Sequence, residues 1–496
     1  MPDGQLLFSY LASGGERGGR LSAGVSENEI YSSATIPRAR DALSMSSANA
    51  GRGKGKKNTQ ARVISRMTSN QIGVNLAKGM ADPYVPFLAI SLNATSVQLG
   101  WLQAFTNLFP TVMQVPWGKL SDFFGRRIPF LIVGGVMSMA LYFFMVGAMN
   151  AWQLIILVAI QMFIGSMMIP TWSALVGDVT TVKNRGSVMG KFFAVSSLAS
   201  LIGTLFAGAV IPTSGDTVRR FAIPFFIAGV SGIAGSLILF EIMEQKKRMY
   251  ASPKTLFKFS LKSFIFTSDL KENKYFRNLV VLNTTFNFIM SIIWPILYLT
   301  YVKVLSAGAF EIGIMTVIST GATLFFQTKV GKLLDVIGPM PQILISRFAF
   351  ISVPIVYALA TQVWHIYLLN ALLGFANAMA NVAFFAYILD VAPEEKKGEY
   401  FAVYNTIIGI ATFFGSVIGG YLGYFFLDFY SHNAATYSHT DWILGLGAVY
   451  AISAFGRAAC AVWFFKLKDP VKYPDTLTGV IRKALKRWRE GRWSPD

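Results

Sequence analysis

Lys78 and Asp82 stand four residues apart in an otherwise apolar stretch, and Gln71 and Asn75 precede them at helical spacing. Steps of 4, 3 and 4 put the four side chains on one stripe of a helix. A charge in an apolar span is costly and ordinarily faces a partner or a wet cavity. The stripe therefore offers two readings. Either Lys78 and Asp82 bind a solute or carry a coupling ion, or they pair across one helical turn and neutralise each other. A second stripe, Asn283, Asn287 and Ser291, presents uncharged hydrogen-bonding groups. Gln161 lies four residues before Gly165, and Asn370 four before Gly374. Asn377, Asn381 and Gln103 either line a cavity or bond helix to helix.

Catalytic chemistry finds no such foothold. Neither Gly186–Lys191 nor Gly51–Lys57 matches the phosphate-binding pattern G-x-x-x-x-G-K-[ST], and no nucleophile sits beside a base. A single cysteine, Cys460, excludes an internal disulfide or a cysteine-based zinc site. Of the three histidines, His432 and His439 share one polar segment where a surface metal contact is conceivable; His365 stands apart. No enzyme activity, cofactor or resident metal is expected.

The elements that position these residues follow from composition. The chain has 496 residues, 53% apolar and 14% charged, with a mean hydropathy of +0.49. A soluble chain would be about 25% charged. Twelve membrane helices need about 240 apolar positions, which this chain supplies. Twelve apolar stretches alternate with short polar breaks from about 68 to 466. The expected organisation is a disordered, Gly- and Ser-rich basic arm (1–65), a six-helix bundle (66–243), a basic central loop (244–275), a second six-helix bundle (276–466) and a basic tail (467–496). A downstream start, at Met45 or Met67, is the alternative for the arm.

The net charge of +19 is explained by its placement. Basic residues collect on the side that holds both termini and the central loop, whereas the other side has only Arg219, Arg220 and Lys303. Both termini are therefore expected to be cytoplasmic at the cell membrane, with the basic surface facing anionic headgroups and no role for nucleic acid. Leu477, Ile481, Leu485 and Trp488 fall on one helical face, so the tail is read either as an amphipathic surface helix or as a solvated basic segment.

The halves repeat at an offset of about 212 residues. Gly118-Lys-Leu-Ser-Asp122-Phe-Phe-Gly125 is echoed by Gly331-Lys-Leu-Leu-Asp335-Val-Ile-Gly338. Asp178, seven before Arg185-Gly186, is echoed by Asp390, seven before Lys397-Gly398. The stripe Ser196, Ser200, Thr204 and Gly208 is matched by Gly415, Gly419 and Gly423, giving close-packing faces. Duplicated halves imply a central site between them that opens alternately to each side.

Residues 117–127, WGKLSDFFGRR, resemble the signature loop of the major facilitator superfamily, G-x-L-a-D-r-x-G-r-r. Gly118, Leu120, Asp122, Gly125, Arg126 and Arg127 fill its slots, and Phe123 replaces the usual basic residue. The resemblance implies an all-α membrane fold of twelve transmembrane helices in two pseudo-symmetric bundles, with spans 1 and 7 lining a central cavity. It also implies that Gly118, Asp122, Gly125, Arg126, Asp178 and Arg185 form a latch that closes the cytoplasmic ends in the outward-open state. The second-half loop continues Gly338-Pro339 without arginines, so its latch is expected to be weaker. Two departures stand out: the span-4 slot holds Gln161 where many proton-coupled members have arginine, and the span-5 Gly-Pro pattern of drug antiporters is missing. Arg347 and Arg457 are expected to snorkel to the inner interface.

The expected function is movement of a small solute by alternating access, with H+ or Na+ as coupling ion and either direction open. The alternative is a membrane receptor or anchor that keeps the fold without transporting.

Overall fold

A computed structural model describes residues 39–180, 184–212, 219–242, 273–431, 437–469, 471 and 473, with side chains from Gln60 onward except Arg185. The chain divides into two units, Met1–Thr59 and Gln60–Asp496. Of the first, the described part is helical backbone from Ala39. Within the expected arm, the described backbone from Ala39 is helical and runs on into the first span. The central loop through Glu272, His432 and the proposed tail helix lie outside the described residues.

From Gln60 onward the described residues form twelve spans, the first of them continuing a helix that begins at Ala39, and no strand occurs among the described residues. Span 1 is Ala39–Ala81, a short turn Asp82–Tyr84 and Val85–Ser91; span 2 is Ser96–Val112 and Gln114–Phe124. Span 3 is Ile128–Met145, span 4 Ala151–Gly165 with Met168–Val179, span 5 Arg185–Val210 and span 6 centres on Ala222–Leu237. The second half runs through span 7 (Lys274–Ser291, Trp294–Leu299, Thr300–Val304), span 8 (Ala309–Ile337) and span 9 (Pro339–Ala349, Ser352–Leu359). It ends with span 10 (Val363–Val391), span 11 (Lys397–Tyr430) and span 12 (His439–Trp463). Ten spans are long and apolar enough to cross a membrane, by length and composition. The other two are span 1, which carries Lys78 and Asp82 beside Pro83, and span 2, divided at Met113. We call the face where span 1 enters the terminal face, and its opposite the far face. Three spans that start on the far face carry their own side-chain caps: Thr95 with Gln98, Asn150, and Ser438 with Asp441.

The breaks in spans 1 and 7 fall at Pro83 and Pro295, which are repeat mates. Proline removes an N–H and pushes away the carbonyl four residues earlier, and lipid offers that carbonyl no substitute donor. For Pro83 the freed carbonyl is that of Gly79, and the Thr204 hydroxyl of span 5 donates to it at 3.0 Å. Around the span-7 break, Ser453 donates to the Ile289 carbonyl and Arg457 to that of Met290, at 3.2 and 3.1 Å. Arg457 also donates at 2.7 Å to Phe350, where span 9 is interrupted. Arg457 is 1% exposed, so it does not snorkel: two broken helices give it carbonyls to bond, which an interface location would forgo.

Small residues set the helix spacing. A Cβ on Gly203 would lie 2.4 Å from the Leu76 carbonyl, and one on Gly419 would lie 1.8 Å from the Ile292 carbonyl. Span 5 thus grips span 1 as span 11 grips span 7. The same two spans also join the halves. Gly208 approaches Ala309 and Phe310 of span 8, and Gly420 approaches Ser96 and Gly100 of span 2. These contacts lie toward the far face. Past Met113, Gln114–Phe124 leaves span 11 and packs on Met168–Val179 of its own half, while Gly186 and Gly190 of span 5 and Gly321 and Gly331 of span 8 have open space beside them. The halves are closed at the far face and parted at the terminal face.

The second-half loop is held by the chain's own tail. Gly338 has φ +79°, and the Tyr473 ring occupies the place of its missing side chain. The Tyr473 hydroxyl donates to Asp390 at 2.6 Å, and Asp469 accepts from the Met340 N–H at 3.1 Å. The Tyr387 hydroxyl donates to the Lys468 carbonyl at 2.8 Å.

Two measurements test this packing. Gly419→Ala should lower stability by about 3 kcal/mol or more, because backbone rather than a movable side chain meets the new methyl. Gly447→Ala, a helix position with nothing near it, should unfold no lower than the parent. Asp469 lies beyond span 12, and burial, with the charge of Asp390 adding and the Met340 N–H opposing, lifts its carboxyl from 3.8 to about 6. A docked acid that holds its proton more tightly than the free one favours docking at low pH, and that advantage fades as pH rises from about 4 through about 6. Protease cleavage in the tail should therefore rise across that window, and Asp469→Asn should flatten the profile.

Candidate functional site

The polar residues of the spans gather into two cavities, one in each half. The first is small, about 110 Å³, and its walls include Lys78, Asp82, Ser138, Tyr142 and Gln161. The helix ends at Ala81, so Asp82 leaves the register that would bring it over Lys78. It instead accepts from the Tyr142 hydroxyl of span 3 at 2.5 Å. Neither Lys78 nor Asp82 makes an ion pair among the described residues, so the self-neutralising pair does not form. Lys78 itself is exposed. Gln161 is 4% exposed and donates to the Ser138 carbonyl at 3.3 Å, leaving its own oxygen without a donor. Asn75 turns away from this cavity: it donates to Gln71, whose side-chain oxygen also accepts from Ser196 of span 5.

The second cavity, of about 550 Å³, opens in the C-terminal half. Five asparagines from three spans reach it: Asn283 and Asn287 on span 7, Asn377 and Asn381 on span 10 and Asn405 on span 11. Asn283 donates to the Tyr404 hydroxyl at 2.5 Å, and its buried oxygen accepts from no group. Asn287 donates to the Asn283 carbonyl at 2.8 Å. Asn370 does not line this cavity; two turns outward from Asn377, it donates to Ile366 of its own helix.

Arg347 also lines the second cavity, and sequence reasoning missed it. Only 4% exposed, its guanidinium lies 4.5 Å from the ring centres of both Phe286 and Phe384. The expected snorkelling fails because aromatic faces stabilise the charge where it stands. Its Nε has no partner, so the group keeps hydrogen-bonding capacity toward the cavity. The signal was present in the sequence as an arginine among phenylalanines, but pairing Arg347 with rings on spans 7 and 10 required the fold.

Between the halves an aromatic row descends span 2. Phe105 stacks on Phe109 at 5.6 Å, Trp101 meets Phe413 of span 11 edge-on at 5.9 Å, and Phe109 meets Phe163 of span 4 at 5.8 Å. Among the described residues no group of three or more His, Cys, Asp or Glu could hold a metal.

The signature loop turns on Gly125 at φ 62°, a left-handed value that glycine adopts without cost. Arg127, not Arg126, pairs with Asp178, at 2.8 Å, and reaches Asp122 at 3.7 Å. Ending the helix at Phe124 with a left-handed Gly125 places Arg127 at the start of span 3, under the end of span 4. Arg126 makes no ion pair among the described residues, and Arg185 has no described side chain. Asp122 remains well exposed, so the described ion pairs of this loop stay within the first half. Arg127→Gln should cost about 1.5–3 kcal/mol, the range for a charged hydrogen bond, whereas Arg126→Gln should be near neutral. Thermal unfolding of the two purified variants decides between the arginines.

Comparisons with known proteins complete the site's context. The sequence profile of the Major Facilitator Superfamily matches residues 69–292 and 279–494. The multidrug resistance protein MdtG of Proteus mirabilis is 27% identical over 361 residues, covering 71% of this chain and 84% of that protein. An uncharacterized MFS-type transporter of Methanocaldococcus jannaschii is 25% identical over 377 residues, or 75% and 92% of the two chains. A solved bacterial homolog of the human lysosomal transporter Spinster, inward-facing and occupied, superposes with a TM-score of 0.62 at 14% identity, over 89% of this chain and 99% of that one. The nucleoside transporter NupG gives 0.62 at 12% identity, over 82% and 98%. At such identities the structural likeness shows the fold alone. With both halves matched by the profile and transporters among its relatives, this integral membrane protein is a transporter belonging to the major facilitator superfamily.

Proposed function

We propose that the protein is a proton-coupled secondary transporter of an amphiphilic organic solute in the cell membrane, with both termini cytoplasmic and the cavities open to the cytoplasm in this conformation. The observation that carries this reading is the division of labour between the two cavities. The first half offers one carboxyl, Asp82, held by Tyr142 beside the unpaired Lys78. The second offers asparagine amides and Arg347 on phenylalanine walls, which suits a ring-bearing solute with hydrogen-bonding or negative groups. Asp82 takes the coupling proton, and its release frees the carboxylate to attract Lys78. The neutral Gln161 removes arginine from the usual coupling position, leaving Lys78 as the nearby cation. The aromatic row along span 2 gives the solute's apolar part a path between the halves. A relative named for multidrug resistance supports export as the direction. The basic terminal face rests against anionic headgroups, in keeping with the positive-inside rule.

Reconstitution in liposomes under imposed proton or sodium gradients, against a panel of amphiphilic solutes, tests this reading. A proton gradient should drive flux and a sodium gradient should not. Asp82→Asn should abolish gradient-driven flux while leaving solute binding within about threefold of the parent, a difference under 1 kcal/mol. Undiminished flux with an unchanged pH profile in that variant would retire Asp82 as the proton carrier. Binding without flux in the parent would instead favour a receptor.

A further inference from the structure

We infer that the cavity where the two halves meet at the far face is an anion-binding site that holds this face closed, taking the carboxylate or phosphate group of a free solute or of a lipid headgroup. The cavity measures about 460 Å³ and is separate from the two cavities of the transport site. Its polar wall is drawn from both halves: Ser91, Asn93 and Arg220 from the first, Lys303, Ser306 and Glu311 from the second.

Three observations point to an anion. First, Arg220 is positioned but not neutralised. It donates to the Ser91 hydroxyl at 2.6 Å and lies 5.0 and 5.1 Å from the ring centres of Phe87 and Phe221, while its buried Nε has no partner. Guanidinium held flat on rings with donors to spare is a usual way to recognise carboxylate or phosphate. Second, the acidic residue in the wall is already engaged. Glu311 accepts from the Gly308 N–H at 2.9 Å and so caps its own helix. Neither Arg220 nor Lys303 makes an ion pair among the described residues. Third, the wall is built at a backbone cost. Asn93 and Ser306 are the two non-glycine residues at positive φ among those described, at 57° and 51°. They lie 213 positions apart, within one residue of the repeat offset, and both face this cavity. Left-handed backbone at paired non-glycine positions is retained where the surroundings demand it.

Because each half supplies one cation, parting the halves at the far face separates Arg220 from Lys303 and dismantles the site. A ligand bound by one conformation alone shifts the population toward it. An anion here therefore favours the far-closed state and slows return to the far-open one.

The test is thermal unfolding of the purified full chain in neutral detergent with inorganic phosphate, against chloride at equal ionic strength. A second arm places the chain in vesicles of phosphatidylcholine with or without phosphatidylglycerol. Phosphate should raise the parental midpoint, and Arg220→Gln and Lys303→Gln should each weaken that effect roughly tenfold in apparent affinity, the loss of one charge-assisted contact. A shift with phosphate assigns the site to free anions; a shift with phosphatidylglycerol alone assigns it to headgroups. Equal shifts in parent and both variants, or no shift in either arm, overturns the inference. Lys303 is exposed, so Lys303→Gln folds even if Arg220→Gln does not. Asp82→Asn should keep the phosphate response whole, so failure of the coupling mechanism and failure of this site are read separately.

Discussion

A backbone carbonyl in lipid has nowhere to turn but to its own protein, and the architecture of this transporter depends on that constraint. Spans 1 and 7 both break at a proline, and each break is tolerated because a neighbouring span supplies donors. In the first half a threonine suffices. In the second, a fully buried arginine bonds two interrupted helices at once. A buried charge is expensive, but hydrogen bonds to otherwise orphaned carbonyls offset much of that cost. The breaks matter because they decide where side chains point: without the turn at Asp82, this carboxyl would sit over Lys78 instead of meeting Tyr142.

The glycine stripes act on the same parts from another direction. They bring span 5 against span 1 and span 11 against span 7, and thus deliver the donors to the broken segments. The same two spans carry the contacts between halves. One helix face fixes the interior of a bundle while another face of that helix forms a separable seam, so a bundle can move as a body without disturbing its buried hydrogen bonds.

Much of this was legible in the sequence. Twelve spans, two related halves and the close-packing stripes follow from hydropathy, offset and the spacing of small residues. The polar stripes of spans 1 and 7 were found by the same spacing. What was not legible depended on departures from regular helix. Spacing pairs Lys78 with Asp82, and only the turn before Pro83 separates them. Arg347 and Arg457 were assigned to the interface by their distance from the span ends, yet rings and carbonyls brought in by other spans keep both inside. Arg127 replaces Arg126 at Asp178 because the left-handed Gly125 rotates the chain, a one-residue difference that a motif cannot express.

The docking of Tyr473 on Gly338 has a consequence for how the duplicated halves came to differ. An element lying beyond the repeat has no counterpart in the first half, so a loop that comes to rely on it is no longer interchangeable with its mate. The first loop keeps its own cation, while the second borrows a phenol from downstream. Moving the second half ahead of the first would take its loop away from the tail that docks on it. The chain's linear order is therefore as much a part of its architecture as its symmetry.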